Sequence, residues 1–550
     1  MNYEIIDVDA LGRIGKLRVN NKELITPNLF PVVHPLKNLI STTDLKKIGA
    51  ECLFTNSYII YQNENIKKDI LNQGIHNYLN FNGIVATDSG AFQQYMYNKN
   101  RIDIDATEIE RFQEKINSDF TVILDVPVQL DDNYSTAREK VKTTIERAKD
   151  NIKRRSNKNC HWFGPIHGGR YTDLLRYSAI EMSKLDFDVY SLGGLVKAFL
   201  EYRFDLAIQI LLNAKAELIP NKPVHMFGLG LPQFFSLAVA CGCDLMDSAA
   251  YILFAKEHRY FTLSTGTKRL DELEEFPCNC PICCEYTPRE IRTFDETLLV
   301  QLIAKHNLYV SFSELKTIRQ AIREGNLWEL VQQRIRNHPA LVNAARTINK
   351  HKAFFEKYEK VYKNHGRLYT SNFDLNRPLI NRYESKIRNN YRSPEDVKYL
   401  IILPELDSKG INSPSIRNWV EIINEDTTIP RQLIHIVLLS CFYGIIPLEL
   451  SETFPLGQYE SIKPLGDNDL LYQSSLNKAK MYFTKNIKKY EKCGILVPDN
   501  FLNQFEEIES FSDTHPIHSL RSLVKSNYDL DISNFNHLES LLQFFKDDTK

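Results

Sequence analysis

The feature that most constrains this fold is an alternation over residues 1–260: eight short β-branched and apolar runs, each followed by a helical or helix-like stretch. The candidate strands are Leu29–His34, Cys52–Ile60, Gly83–Asp88, Thr121–Val126, His161–His167, Val189–Gly193, Val224–Gly228 and Asp244–Asp247. Between them lie amphipathic segments such as Ser135–Asn157, which sets Val141, Ile145, Ala148 and Ile152 on one helical stripe. The pattern is α/β, and eight such units are the count of a (β/α)8 TIM barrel. A doubly wound open sheet carries the same alternation, usually with fewer strands.

Polar residues gather where these runs end: Asp88-Ser89-Gly90, Asp125, His167-Gly168-Gly169, Gly193-Gly194, Gly228-Leu229-Gly230 and Asp247-Ser248. In a barrel those ends converge on the face that carries catalysis. Asp88 and Asp247 would then flank one substrate atom from different strands, and the glycine pairs would let a flat ligand approach the backbone. Taken singly, an aspartate at a strand end is more often the N-cap of the next helix, and a glycine pair more often a plain turn. It is their convergence that points to a site. A lone histidine such as His34 reads as structural.

Beyond the alternation lies Phe276-Pro277-Cys278-Asn279-Cys280-Pro281-Ile282-Cys283-Cys284. Three thiols in a C-x-C-x-x-C arrangement are good metal ligands, and a tetrahedral zinc site needs a fourth, usually a histidine on a following helix. His306, on the helical stretch Glu296–His306, is the candidate. Four protein ligands leave no open position, so such a metal would be structural, contributing roughly 10–16 kcal/mol to local folding. Free buried cysteines are the plainer alternative, but four of the ten cysteines within seven residues argue against it. The others (Cys52, Cys160, Cys241, Cys243, Cys441, Cys493) suit a reducing cytoplasm better than a disulfide framework.

A chain of 550 residues is expected to form two to four domains. It has no apolar run long enough for a bilayer, and Met1-Asn2-Tyr3-Glu4 opens no signal peptide, so no membrane association is expected. The net charge of −1 does not announce nucleic acid, so any RNA contact must come from local basic patches.

The sequence resembles the archaeal tRNA-guanine transglycosylase family over about the first 345 residues. The matching pieces, in order, are VATDSGAFQQ (85–94), LDVP (124–127), GGLVKAFLEYRF (193–204), HMFGLGLPQFFSLAVACGCDLMDSAAYILFAKEHRY (225–260), PCNCPICCEYTPREIR (277–292) and KHNLYVSFSELKTIRQAIREGNLWELV (305–331). The resemblance implies a pentosyltransferase that exchanges guanine at position fifteen, in the D-arm of tRNA, for 7-cyano-7-deazaguanine, the first step of archaeosine synthesis. It implies Asp247 as nucleophile and Asp88 as general acid/base, with Asp125, Ser89, Phe92 and the Gly193, Gly194 and Leu195 backbone as the pocket for the incoming base. Cys278, Cys280, Cys283 and His306 match its structural zinc ligands, one Zn2+ per chain, and the family suggests a homodimer. There is one departure: where the family usually has V-Q-G-G, this chain has I-H-G-G, which places His167 at the base-reading position. An imidazole there is expected to read the same carbonyl edge as the amide.

The expected division is a catalytic barrel over 1–345 with its zinc site at 276–306, an accessory linker domain over 346–395, a smaller α/β domain over 396–500 and a partly helical tail over 501–550. Arg334–Arg367 is basic with interleaved aromatics; a solvated helix face is the simpler reading and an RNA backbone contact the sharper one. YGIIPLELSETFPLGQYE (443–460) resembles a segment of archaeosine synthase. Where that paralogue has P-C-x-x-x-K-P-Y, this chain has Pro404-Glu405-Leu406-Asp407-Ser408-Lys409-Gly410-Ile411. The cysteine has become Glu405, so the domain reads as a non-catalytic RNA-binding or scaffolding relative. Many family members end in a small β-rich RNA-binding domain of the pseudouridine-synthase-associated type. No such pattern follows residue 500, so a separate chain carrying that module is one expected partner besides tRNA. The rival readings are a synthase-like paralogue, an idle zinc-stabilised tRNA-binding subunit and a queuosine-type enzyme acting on the anticodon. Retention of both Asp88 and Asp247 disfavours the first two; the archaeal form of the motifs and the appended domains disfavour the third.

Overall fold

All eight candidate runs enter one parallel sheet. An antiparallel sheet of β1 (Asn2–Asp9), β2 (Gly12–Val19) and β3 (Lys22–Thr26) precedes it. The strands β4 (Asn28–Pro31), β5 (Cys52–Asn56), β6 (Ile84–Asp88), β7 (Phe120–Val122), β8 (His161–Ile166), β9 (Val189–Leu192), β10 (Val224–Met226) and β11 (Leu245–Ser248) then lie in the order β4-β11-β10-β9-β8-β7-β6-β5. A parallel bridge between Val32 and Phe54 joins the two edges, with Val33 N–H donating to the Phe54 carbonyl at 2.8 Å, so the sheet closes into a barrel. This computed structural model describes residues 1–91, 104–264, 266–405, 410–465, 468–498, 515–527 and 530–546. They divide into two compact units, Met1–Phe354 and Phe355–Lys550.

The barrel interior is filled by Phe30, Phe54, Phe120, Val122, Phe163, Val189 and Leu245, and Leu17, Val19 and Leu24 of the first sheet join the same apolar cluster. Since β3 runs almost directly into β4, that sheet caps the amino-terminal end of the barrel and leaves the carboxyl end open. Buried charge pins the cap: Arg13 Nε donates to Asp244 Oδ1 at 2.9 Å, and its Nη2 to the Lys222 carbonyl at 2.9 Å.

Two strands stop four residues short of their apolar runs. β7 stops at Val122 because side chains of the following helix take over the backbone: Val126 N–H donates to Thr144 Oγ1, and the Leu124 carbonyl accepts from Arg147. The chain thereby leaves the sheet before Asp125. β5 stops at Asn56, whose side chain caps the helix Ser57–Tyr61 by accepting from Ile59 N–H.

After the barrel come a hairpin of β12 (Arg259–Thr262) and β13 (Gly266–Arg269) and then the 29-residue helix Glu296–Glu324. Asp295 caps that helix at its start, and the left-handed Gly325 ends it. The basic stretch 334–367 is not one helix face: Arg334 pairs with the buried Glu314, and Arg367 is itself buried.

In the second unit β14 (Arg367–Tyr369) pairs with β18 (Tyr459–Ser461), and a five-stranded sheet has the order β17-β16-β15-β19-β20. Its members are β15 (Tyr399–Pro404), β16 (Ile434–Ser440), β17 (Gly444–Pro447), β19 (Lys492–Leu496) and β20 (Asp531–Phe535); only β17 runs antiparallel. β15 and β16 are buried along their whole length, as the largely apolar run of each requires, and His435 and Ser440 of β16 are buried with the rest. β20 draws the sheet into residues that the sequence assigns to a tail. No helix among the described residues is long and apolar enough to cross a membrane.

Candidate active site and metal centre

The carboxyl ends of the barrel strands surround a cavity of about 380 Å³. Asp88 closes β6, Asp125 lies three residues past β7, His167 follows β8, Gly193 and Gly194 follow β9, and Asp247 lies within β11; all six line this cavity. Val32, Phe54 and Phe227 supply apolar walls. Ser89 and Leu195 are fully buried and outside the lining, and the Ser89 hydroxyl donates to the Ile123 carbonyl at 3.1 Å. Phe92 lies outside the described residues.

The carboxylates occupy different environments. Burial, followed by the charges of Asp125 and Asp247, raises Asp88 from 3.8 to about 7, although the Ser89 and Gly90 N–H groups pull the other way. Asn56 Nδ2 donates to Asp88 Oδ2 at 3.3 Å. Asp247 has two polar partners on one oxygen: Oδ1 accepts from Gly228 N–H at 3.1 Å and lies 2.8 Å from His225 Nε2. Among the described residues no such partner holds Oδ2. Asp125 Oδ2 lies 2.5 Å from His167 Nε2.

Two glycines are required here. A Cβ at Gly193 would sit 2.3 Å from His167 Cε1. Gly194 has φ of +75°, and a Cβ there would meet the Val128 carbonyl oxygen at 2.4 Å.

Sequence reasoning passes over His225. It is fully buried, and Phe30, Phe54, Phe163 and Phe227 surround its ring, which looks like an ordinary core position. Its signal is registral: His225 pairs with Leu245, two residues before Asp247, so all three share the inward face. That is visible only once β10 is laid beside β11.

Cys278, Cys280, Cys283 and His306 bring their ligand atoms within 4.8 Å of one another. His306 Nδ1 lies 3.4 Å from Cys280 Sγ and 3.3 Å from Cys283 Sγ. Its Nε2 lies 3.0 Å from the Phe261 carbonyl, which fixes the tautomer that leaves Nδ1 bare toward the thiols. Tyr260 stacks on the His306 ring with centroids 3.6 Å apart. The set could hold a metal ion, and three thiolates with one imidazole are a tetrahedral donor set.

In the second unit Glu405 is buried and satisfied. Its Oε2 accepts from Cys441 N–H at 3.0 Å, and its Oε1 pairs with Lys463 at 3.3 Å. Lys409 lies outside the described residues.

A sequence model of one protein family, described as Queuine tRNA-ribosyltransferase, matches residues 8–340. Among curated proteins, the tRNA-guanine(15) transglycosylase of Methanococcus aeolicus is 40% identical over 468 residues, 84% of this chain and 69% of that one. Its namesake from Methanocaldococcus jannaschii is 37% identical over 484 residues, 87% and 70% of the two chains. That of Pyrococcus abyssi is 42% identical over 382 residues, 70% and 64%. With its barrel, its pair of strand-end aspartates and its cluster of three cysteines and a histidine in place, this chain belongs to the queuine tRNA-ribosyltransferase family.

Proposed function

We propose that the chain is a tRNA-guanine transglycosylase that replaces guanine fifteen of the D-arm with 7-cyano-7-deazaguanine. One observation carries this reading: Asp88 and Asp247 face a single cavity from different strands, one carboxyl held ready to keep a proton and the other with an unshared oxygen. Asp247 Oδ2 attacks the anomeric carbon while Asp88 protonates the departing guanine, giving a covalent glycosyl-aspartate. Asp88, now ionised, deprotonates the incoming base, which attacks from the opposite side and restores the configuration. The apolar walls keep water from diverting the intermediate to an abasic site.

The base pocket is assigned to Asp125, His167 and the Gly193–Leu195 backbone, with Ser89 bracing it; Phe92, the remaining member of the set, lies outside the described residues. The cluster of Cys278, Cys280, Cys283 and His306 holds one structural Zn2+, which organises the loop and supplies no chemistry. A homodimer and a separately encoded RNA-binding chain are the assembly that goes with this reading, in the cytoplasm.

The direct test uses unmodified tRNA, labelled 7-cyano-7-deazaguanine and the full chain. One guanine should leave for each label incorporated. Binding of tRNA without release of guanine would sink the proposal.

A pH prediction follows from Asp88. Single-turnover guanine release should fall as pH rises through about 7, where Asp88 loses the proton that it donates. Stability carries the same sign. A carboxyl raised in the folded state favours the fold fully below its unfolded value of 3.8, and that contribution is lost as pH rises through about 7. Asp88→Asn should therefore abolish exchange yet unfold later than wild type at pH 8, by at most roughly 4 kcal/mol. An Asn variant less stable than wild type at that pH would contradict the burial argument.

A further inference from the structure

We infer that His167 is a positioning residue that selects the base through Asp125, and that it does not donate to the base carbonyl. The inference rests on the reading above that this cavity takes a purine.

A neutral imidazole carries one N–H, and an ionised carboxylate only accepts. The 2.5 Å contact between His167 Nε2 and Asp125 Oδ2 therefore places that proton on Nε2, pointing at Asp125. His167 Nδ1 is buried with no hydrogen-bond partner among the described residues. A proton there would be a buried, unpaired donor, a costly arrangement, whereas a bare lone pair is tolerated better. The ring cannot swing to bring Nδ1 to a ligand. The residue is only 2% exposed, its Cε1 edge lies against Gly193, where even a methyl group would collide, and Asp125 anchors its Nε2. His167 is thus fixed as the Nε2–H tautomer, with its whole donor capacity committed to Asp125.

Asp125 gains an orientation from this. With Oδ2 held, its remaining lone pairs are presented to the cavity as a fixed acceptor edge. Such an edge recognises N–H donors, the N1–H and 2-amino group of a guanine-like base. The expectation that His167 reads the carbonyl is therefore revised: the residue acts one step back, on the group that reads the donors.

Equilibrium binding to the full chain separates the two roles, with guanine and 6-thioguanine (which keeps N1–H and the 2-amino group but replaces the carbonyl oxygen with a poorly accepting sulfur) as probes. His167→Ala should weaken both by a similar factor, about tenfold. His167→Gln, whose amide N–H can replace the imidazole proton, should recover most of that loss. Weakening confined to guanine would overturn the inference. A second measurement reads the wild-type ring itself: the imidazole ¹⁵N shifts of His167, assigned by their absence in His167→Gln, should report Nε2–H with and without guanine. A proton on Nδ1 in the guanine complex would overturn it as well. Neither readout depends on turnover, so absence of base exchange alongside these results would remove the transferase reading and leave the Asp125–His167 role standing.

Discussion

Asp247→Asn is expected to lower guanine exchange by roughly 10⁴-fold or more while leaving the thermal midpoint almost unchanged. Asparagine keeps an oxygen in the place of Oδ1, so Gly228 N–H and the His225 ring keep their acceptor. What disappears is the negative oxygen that forms the glycosyl bond. No neighbouring carboxylate can substitute. Asp88 is held near neutrality by burial and by two surrounding charges, and Asp125 is tied to His167. Asp247→Ala should be equally inactive but less stable, because it leaves the Gly228 N–H and His225 without their acceptor in a buried setting, at about 1–3 kcal/mol for each orphaned group. The measurement pairs exchange with a denaturing gel of enzyme mixed with tRNA and no second base. Wild type should show a covalent protein–RNA band, and neither variant should. A band that persists in Asp247→Asn would move the nucleophile to another residue.

Much of this site was legible before the fold was known, for a physical reason. In a parallel barrel the strand is a spacer and its carboxyl end carries the chemistry, so Asp88, Asp125, His167 and Asp247 stood out as polar residues at the close of apolar runs. The spacing of Cys278, Cys280 and Cys283 was legible because metal ligation by a short loop is local. Features that depend on pairing were hidden. His225 lies in an apolar strand, and only the β10–β11 register brings it to Asp247. The Asp125–His167 contact joins residues 42 positions apart on adjacent strand ends. The capping sheet escaped notice because half of β1, Asn2–Asp9, is exposed and the strand lacks the alternating apolar pattern of a half-buried one. β20 was hidden for the opposite reason: its pairing with β19 crosses more than thirty residues, so the local sequence alone reads as a tail.

The second large effect concerns the metal. Removing it should release the segment 276–294 while the barrel strands stay folded. The cysteine loop has little else to hold it: Cys278, Cys280 and Cys283 are only partly buried, and Ile282 is the one buried apolar side chain between Pro277 and Glu285. The barrel cluster of Phe30, Phe54, Phe120 and Phe163 contains no residue of that loop, so its packing does not depend on the ion. Structural zinc sites contribute roughly 10–16 kcal/mol in small peptides, more than the loop could replace with its few apolar contacts. Metal analysis should find one zinc per chain. After exhaustive chelation, hydrogen exchange should show protection lost across 276–294 and across the neighbouring β12, whose Phe261 carbonyl and Tyr260 ring hold His306, with β5, β8 and β11 unchanged. Cys280→Ser should reproduce this pattern without a chelator. Because the metal supplies no chemistry in the proposed reaction, covalent glycosyl-aspartate formation with tRNA should fall only as far as tRNA binding falls. Full protection of the loop in metal-free protein would show that packing alone suffices, and loss of protection in the barrel strands would show that the two cores are not independent.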